Sequence, residues 1–570
     1  MSKMNRFKEA LFSGKIIGII IAALLVWFIV AFLVYPNLNL LIATFFSDGS
    51  FSVKPFQKLL HSTRALKSLL NSFVLAVSLV VTVNVVGIFL VLVTEYYEIK
   101  GAKLLRLGYM TTLIYSGIVL VFGYKFVYGE GGIITKILVQ LFPHLNPAWF
   151  TGYWAVLYVM TFAITSNHVI FLSNAIKKID YQTIEAARNM GASSFYILRR
   201  VVFPVLKPTL FAVTVLLFLT GLSATSAPLV LGGRDFQTIT PMILTFVQSL
   251  TSRDMASLLA MILGAFTWIL LSILRKVEKD GNYISISKVK SQIVKQKINS
   301  KLANIMVHGL AYLLFGIYAL PVILIVIFSF TDNYSIITAT LSFDRFTFAN
   351  YARLFTHFSD FKPYGVSILY SSVSSILVVI LALIVSRILH KYKNIFSTVL
   401  EYAMLIPWLL PSTLIALGLI ITYDSPKLIM LNQVLTGSVY ILLIAYVIVQ
   451  IPFTLRMLRA AFFTVDRSLE DASQSLGAGP FYTFRRVLLP ILLPSTLAVL
   501  AMNFNGHLAD YDLAVFLYHP IMQPLGIVIK NSTSEQASGD VQALVLVFSV
   551  ILMVLSSITL YLVYGRKSKE

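Results

Sequence analysis

Residues 185–208 read EAARNMGASSFYILRRVVFPVLKP, and residues 471–494 read DASQSLGAGPFYTFRRVLLPILLP. The stretches lie 286 positions apart and align without a gap. Ala186/Ala472, Gly191/Gly477, Ala192/Ala478, Phe195/Phe481, Tyr196/Tyr482, Arg199/Arg485, Arg200/Arg486, Val201/Val487, Pro204/Pro490, Leu206/Leu492 and Pro208/Pro494 are identical. An internal match of this kind divides the chain into two related halves. Each copy opens as a short polar helix, breaks at Gly-Ala, resumes through Phe-Tyr and meets two prolines as an apolar run begins. Glycine tolerates positive φ and can join two short helices at a sharp angle. Proline suits the first turn of the helix that follows. The Phe-Tyr pair makes an apolar knob flanked by arginines, and an exposed knob of that kind needs a cover. A helix resting on lipid headgroups with snorkelling arginines is the alternative. The recurrence of the knob in register favours docking of a soluble partner.

The flanking sequence says where these loops lie. Of 570 residues, 58% are hydrophobic and only 12% charged, against about 45–50% and about 25% in a soluble domain. That composition excludes a set of soluble domains, a disordered chain and a coiled coil. The absence of cysteine excludes disulfides, thiolate metal sites and a cysteine nucleophile. A spanning helix needs about 20 apolar residues. The sequence offers spans at 16–36, 73–93, 107–127, 151–173, 209–231, 257–274, 305–330, 366–389, 398–422, 437–459, 495–517 and 541–564. The first follows Lys3, Arg6, Lys8 and Lys15 and is longer than a signal-peptide core, so it reads as an uncleaved helix.

The excess of positive charge reports orientation. With the N-terminus inside, inner segments and the span ends beside them hold 32 Lys and Arg against 12 Asp and Glu; outer segments hold 12 against 10. That bias obeys the positive-inside rule and places both termini in the cytoplasm. The net charge of +21 therefore reads as topology, with no nucleic-acid partner. Residues 275–303 are rich in Lys and Arg without a long apolar run, which predicts a cytoplasmic linker. The expected organisation is an all-α polytopic membrane protein: 1–274 as a first six-helix half, the linker, and 304–570 as a second. Both knob loops fall inside. The halves therefore share orientation, unlike inverted repeats.

At these loops the chain resembles the permeases of binding-protein-dependent ABC importers, whose signature is E-A-A, three residues, Gly, nine residues and an aliphatic-x-L-P ending. The first copy is Glu185-Ala186-Ala187, Gly191 and Val201-Val202-Phe203-Pro204. The second is Asp471-Ala472-Ser473, Gly477 and Val487-Leu488-Leu489-Pro490, with Asp for Glu, Ser for Ala, and Glu470 one residue earlier. Leu70-Asn71-Ser72 is similar to the start of the family's membrane core. Ile406-Pro407-Trp408-Leu409-Leu410-Pro411 with Ala416-Leu417-Gly418 is similar to its third core helix, while 107–132 lacks both prolines. Two halves in one chain resemble the ferric-iron permease branch, which includes sugar-phosphate, phosphonate and thiamine-type importers. The resemblance implies the type I importer fold. It also implies two ABC ATPase subunits below the membrane, a binding protein outside it, and a bacterial cytoplasmic membrane location. Glu185, Ala186, Gly191, Phe195, Tyr196, Glu470, Asp471, Gly477, Phe481 and Tyr482 would then contact the ATPases, with Pro204 and Pro490 joining loop to span.

The chain has no phosphate loop: its single Gly-Lys, Gly14-Lys15, lacks the earlier glycine and the following Ser or Thr. No cofactor is expected on this chain, and ATP and Mg belong to the partner subunits. Pathway candidates are the polar groups within spans. The eleventh span carries Asn503, Asn505, His507, Asp510 and Asp512; the fifth carries Ser223, Thr225 and Ser226. On a helix His507 and Asp510 share a face. They form either a cation-binding patch whose chemistry suits iron or a solvated outer mouth. The small hydroxyls suit helix packing as well as a pathway, and Asn84 reads as an interhelical hydrogen bond. An ion-gradient transporter with His507 and Asp510 as its proton relay is the rival class; it gives no reason for twin cytoplasmic knobs.

Overall fold

A computed structural model describes residues 15–47, 50–115, 117–177, 179–280, 294–466, 468–533 and 539–564. Lys3, Arg6 and Lys8 and the middle of the linker, 281–293, lie outside the described residues. Helix accounts for nearly all the regular structure. Among the described residues the paired strands are confined to a small hairpin, Phe46–Ser47 with Ser50–Phe51. Among the described residues, eleven helices are long and apolar enough to cross a membrane: Gly18–Phe45, Thr63–Tyr96, Ile118–Leu141, Gly152–Ile176, Ser194–Leu222, Arg253–Leu274, Lys301–Ser329, Phe358–Lys391, Val439–Phe463, Pro480–Leu508 and Gly539–Thr559. The pair Ile395–Leu409 and Ser412–Tyr423, bent by 104°, meets the same test when its two arms are taken together, which brings the number to as many as twelve. The order expected from hydropathy is met.

The bend falls where Pro407 and Pro411 remove backbone donors, and Leu410 between them is extended. The corresponding stretch of the first half is also broken, without proline. A short helix, Ala102–Tyr109, stops there, and Ile118–Tyr128 begins after Gly117 at φ +61°. A glycine in left-handed space does there what two prolines do in the other half. The crossing expected at 107–127 is accordingly displaced to Ile118–Leu141.

The fifth and eleventh spans differ from expectation at both ends. Each starts earlier, within the repeated loop, and each ends sooner, at Leu222 and Leu508. Short helices Ser226–Leu231 and Ala514–Leu517 follow the breaks. His507 thus sits on the last turn of its helix, while Asp510 and Asp512 lie beyond it. The shared helical face expected for His507 and Asp510 does not exist, because the backbone leaves the helix between them.

The chain forms two compact units that do not follow the two sequence halves. One comprises Met1–Phe56, Lys362–Leu525 and Leu555–Glu570; the other comprises Gln57–Phe361 and Gly526–Val554. Each is thus built from a leading helix of one half and the core helices of the other. In the first unit, Asn39 Nδ2 donates to Thr422 Oγ1 at 3.1 Å and Tyr423 OH to the Ala31 carbonyl. Gly418 permits this approach: a Cβ there would lie 3.3 Å from the Pro36 carbonyl oxygen. In the other unit, the helix Lys301–Ser329 packs on the broken third span. Tyr109 OH donates to the Ala311 carbonyl at 2.8 Å, and a Cβ on Gly108 would strike the Phe315 ring.

Candidate functional site

The two repeated loops fold alike, and their shape follows from local rules. Asp180 and Asp466, also 286 residues apart, begin each loop as caps. Asp180 Oδ1 accepts from Gln182 N at 3.0 Å, and Asp466 Oδ1 from Ser468 N at 2.9 Å. The Ser468 N–H holds the Asp466 carboxyl below the usual carboxylate range. The helices Tyr181–Asn189 and Ser468–Ser475 follow. Both end in a Schellman motif: Ala192 N donates to Ala187 O and Gly191 N to Arg188 O, matched by Ala478 N to Ser473 O and Gly477 N to Gln474 O. The motif needs left-handed backbone at its fifth residue, and Gly191 and Gly477 stand at φ +81° and +83°.

A second short helix leaves each turn and continues into the membrane. Ser193 caps the first, its Oγ accepting from Tyr196 N at 3.2 Å; Pro480 opens the second. Each arm then passes through one π-helical turn, Leu198–Val202 and Phe484–Leu488, and runs on as the fifth or eleventh span. Pro204 and Pro490 follow the π turns within the first two positions of regular helix. The wider turn accommodates the missing proline donor, so loop and span form one continuous helix rather than a hinge.

The exposed faces carry the predicted residues. Glu185 and Asp471 occupy equivalent exposed positions, as do Ala186 and Ala472. Phe195 and Tyr196 are 72% and 55% exposed, and Phe481 and Tyr482 are 77% and 60%. Met190 and Leu476, just before the glycines, are more exposed still. The sequence reading passed over this pair; an apolar residue ahead of the glycine in both copies was the available signal. Glu470 is not part of the exposed face. It is buried and forms an ion pair with Arg387 near the C-terminal end of the eighth span.

The pathway candidates divide: Asn503, His507 and Asp510 gather against the tenth span, where His507 and Asp510 both neighbour Tyr446, and the others turn elsewhere. Asn503 donates to Thr454 Oγ1 at 2.9 Å, and His507 stacks on Tyr446 with ring centroids 4.1 Å apart, so both face the tenth span. Asn505 turns to Thr559 on the last span. Asp510 accepts from Ala514 N at 3.1 Å. In the fifth-span region, Ser223 Oγ donates to the Leu219 carbonyl and Thr225 Oγ1 to the Ser223 carbonyl; Ser226 is buried at the start of its short helix. Among the described residues, no three His, Asp or Glu side chains gather closely enough to hold a metal. Asn84 bonds Thr214 and His168 across helices at 3.0 Å each, a packing interaction of the kind worth about 0.6 kcal/mol in a membrane. The Leu70-Asn71-Ser72 stretch also has a structural task. Asn71 Nδ2 donates to the Gln237 carbonyl, and Ser72 Oγ accepts from Ile239 N at 2.8 Å, fixing the start of Ile239–Val247. Ser367 does the same for Leu525 N in the second half.

Residues 378–568 match the family of binding-protein-dependent transport system inner membrane components. A relative in Sinorhizobium fredii, "Probable ABC transporter permease protein y4fN", is 39% identical over 541 residues, 95% of this chain and 94% of its own. The ferric transport system permease protein FbpB of Actinobacillus pleuropneumoniae is 23% identical over 96% of this chain and 77% of its own. Among solved structures, a bacterial ABC transporter involved in alginate import has a chain aligned over 49% of this one and 99% of its own, at 17% identity and a TM-score of 0.39. The paired loops and the 39% identity over nearly the whole chain agree: the protein belongs to the binding-protein-dependent ABC transporter permeases.

Proposed function

We propose that this chain is the fused, two-half membrane subunit of an ATP-driven importer in the bacterial cytoplasmic membrane. An extracytoplasmic binding protein delivers a small solute, and two ATPase subunits each receive one cytoplasmic loop. The observation that carries this reading is the pair of loops: the same exposed apolar residues stand on the same Schellman turn, 286 residues apart. Exposed side chains of that size gain most when a partner cleft removes them from water. The unbroken helix from each loop into its span supplies the mechanical link, because a displaced loop must carry its span with it. ATP acts through differential affinity: closure of the ATPases shifts the permease only insofar as it favours one arrangement of the loops. ATP and Mg stay with the partner subunits.

Ferric iron is the first substrate reading, supported by the ferric permease relative at 23% identity. An organic phosphate or thiamine-type solute on the same machinery is the second. Copurification of the tagged chain from its native membrane, followed by ATPase assays with the cognate binding protein and each ligand, tests both levels. An ATPase stimulated by one loaded binding protein identifies the class and the substrate. Intact chain without an ATPase partner, taking up solute on an ion gradient, overturns the reading.

A further inference from the structure

We propose that the end of the basic linker is a working part of the coupling apparatus, with Gln296 as a positioning residue for the first coupling helix; this rests on the importer reading. The second span ends inside the cell in a π-helical turn, Leu92–Tyr96, whose last carbonyls have no partner within the helix. The linker supplies them. Lys295 Nζ donates to the Thr94 carbonyl at 2.6 Å, and Gln296 N donates to the Tyr96 carbonyl at 2.8 Å. The Gln296 carbonyl in turn accepts from Glu98 N at 2.9 Å, which completes a parallel bridge to Tyr97. Gln296 is 3% exposed. Its side-chain amide donates to the Val294 carbonyl at 2.6 Å, and its Oε1 accepts from Arg188 Nη2.

Arg188 lies in the last turn of the first coupling helix and supplies a carbonyl to the Schellman turn that presents Met190 and Gly191. Gln296 therefore ties that turn to the end of the second span. The second loop is held at the same level in a different way: Arg387, near the C-terminal end of the eighth span, pairs directly with Glu470. In one half the membrane helix grips its loop itself. In the other, the grip passes through the segment that joins the halves. The linker is thus a strap over the first loop as well as a tether.

The absence of native cysteine makes a site-specific test direct. A spin label on Met190→Cys reports the mobility of the first loop in the full chain in nanodiscs, and a label on Leu476→Cys reports the second. Gln296→Leu should mobilise the label at 190 and leave the one at 476 unchanged, whereas Gln296→Glu, which keeps an acceptor for Arg188, should restore the ordered spectrum. In the assembled complex, Gln296→Leu should lower ligand stimulation of the ATPase by about tenfold or more, the effect of losing one charge-assisted hydrogen bond. Gln296→Glu should preserve the stimulation. An unchanged label at 190 in Gln296→Leu, or equal mobilisation at both sites, overturns the strap. A wild-type complex without ligand-stimulated ATPase sinks the importer reading instead, and the label spectra still decide the strap.

Discussion

The two repeated loops have matching exposed faces and dissimilar buried ones. Outward, Met190, Phe195 and Tyr196 correspond to Leu476, Phe481 and Tyr482. Inward, Ile184, Ala187 and Ile197 correspond to Glu470, Ser473 and Thr483, all but Ala187/Ser473 a change from aliphatic to much larger polarity, and that pair a methyl exchanged for a hydroxymethyl. The polar set is internally satisfied: Glu470 pairs with Arg387, and Ser473 and Thr483 share a hydrogen bond of 2.9 Å. The Ser473 departure from the E-A-A signature thereby finds its partner ten residues on. Between the two repeats the exposed surface has the same shape, while the inner surface differs in chemistry by paired substitutions.

The largest effect should come from breaking the second loop's inner face on one side only. Arg387→Leu leaves the Glu470 carboxylate buried without its cation, at a cost of about 3–5 kcal/mol. Thermal unfolding in detergent should fall sharply, and proteolysis should open the second loop first. Ile184→Ala in the first loop removes only apolar contact and should cost less. Equal losses for the two variants would mean that the ion pair does not anchor the loop.

The glycines test what the loops share. A valine at Gly191 or Gly477 must adopt left-handed backbone, which costs roughly 1–2 kcal/mol. Nothing lies within 4 Å of a Cβ at either position, so the cost is conformational rather than steric crowding by neighbours. Each variant should reach the membrane yet lose most coupled uptake, by tenfold or more as the knob is turned away from its cleft. Undiminished uptake in either variant would remove that loop from the coupling role.

Much of this architecture was legible in the sequence, and what escaped has identifiable causes. The order of spans and the paired loops follow from apolar runs and from a repeat that aligns without a gap. The break after Leu508 escaped because apolar residues continue through Leu513, Ala514 and Val515, so hydropathy cannot mark where a helix stops. Gly117 lies within a similar apolar run, and its positive φ has no compositional signature. Glu470 reads as a docking residue because Asp471 departs from the motif's Glu and an acid stands one residue earlier; only the helical register, which turns 470 inward with 473, separates the two. The segments that make up each compact unit were invisible for a different reason: contacts such as Tyr423 to Ala31 span nearly four hundred residues and leave no local pattern.

Met190 and Leu476 sharpen the comparison from the outer side. Both are exposed, at 81% and 88%, so truncation to Ala should leave the melting temperature unchanged. A buried contact of this size at an interface centre is worth about 1–2 kcal/mol. Each Ala variant should therefore weaken capture of the ATPase by about five- to thirtyfold, and the two effects should be similar. Loss at one loop alone would show that the matched faces dock unequally.

The smallest effect is the most discriminating, because it asks whether the inner face of the second loop changed as a pair. Ser473→Ala alone leaves the Thr483 hydroxyl buried with one fewer partner, and Thr483→Val alone does the same to Ser473. Each single variant should cost about 1 kcal/mol. The double variant approaches the aliphatic chemistry that already holds the first loop at Ala187 and Ile197, and replacing both members of a buried hydrogen bond is close to neutral. The four melting temperatures of the cycle should therefore show the double variant nearer to the parent than either single variant, with a coupling of about 2 kcal/mol. Additive losses would mean that the two hydroxyls act independently. Thr483 Oγ1 also lies 3.2 Å from the Gly479 carbonyl, which gives it a route to act alone. The sign of the coupling therefore decides whether Ser473 compensates for Thr483 or simply tolerates it.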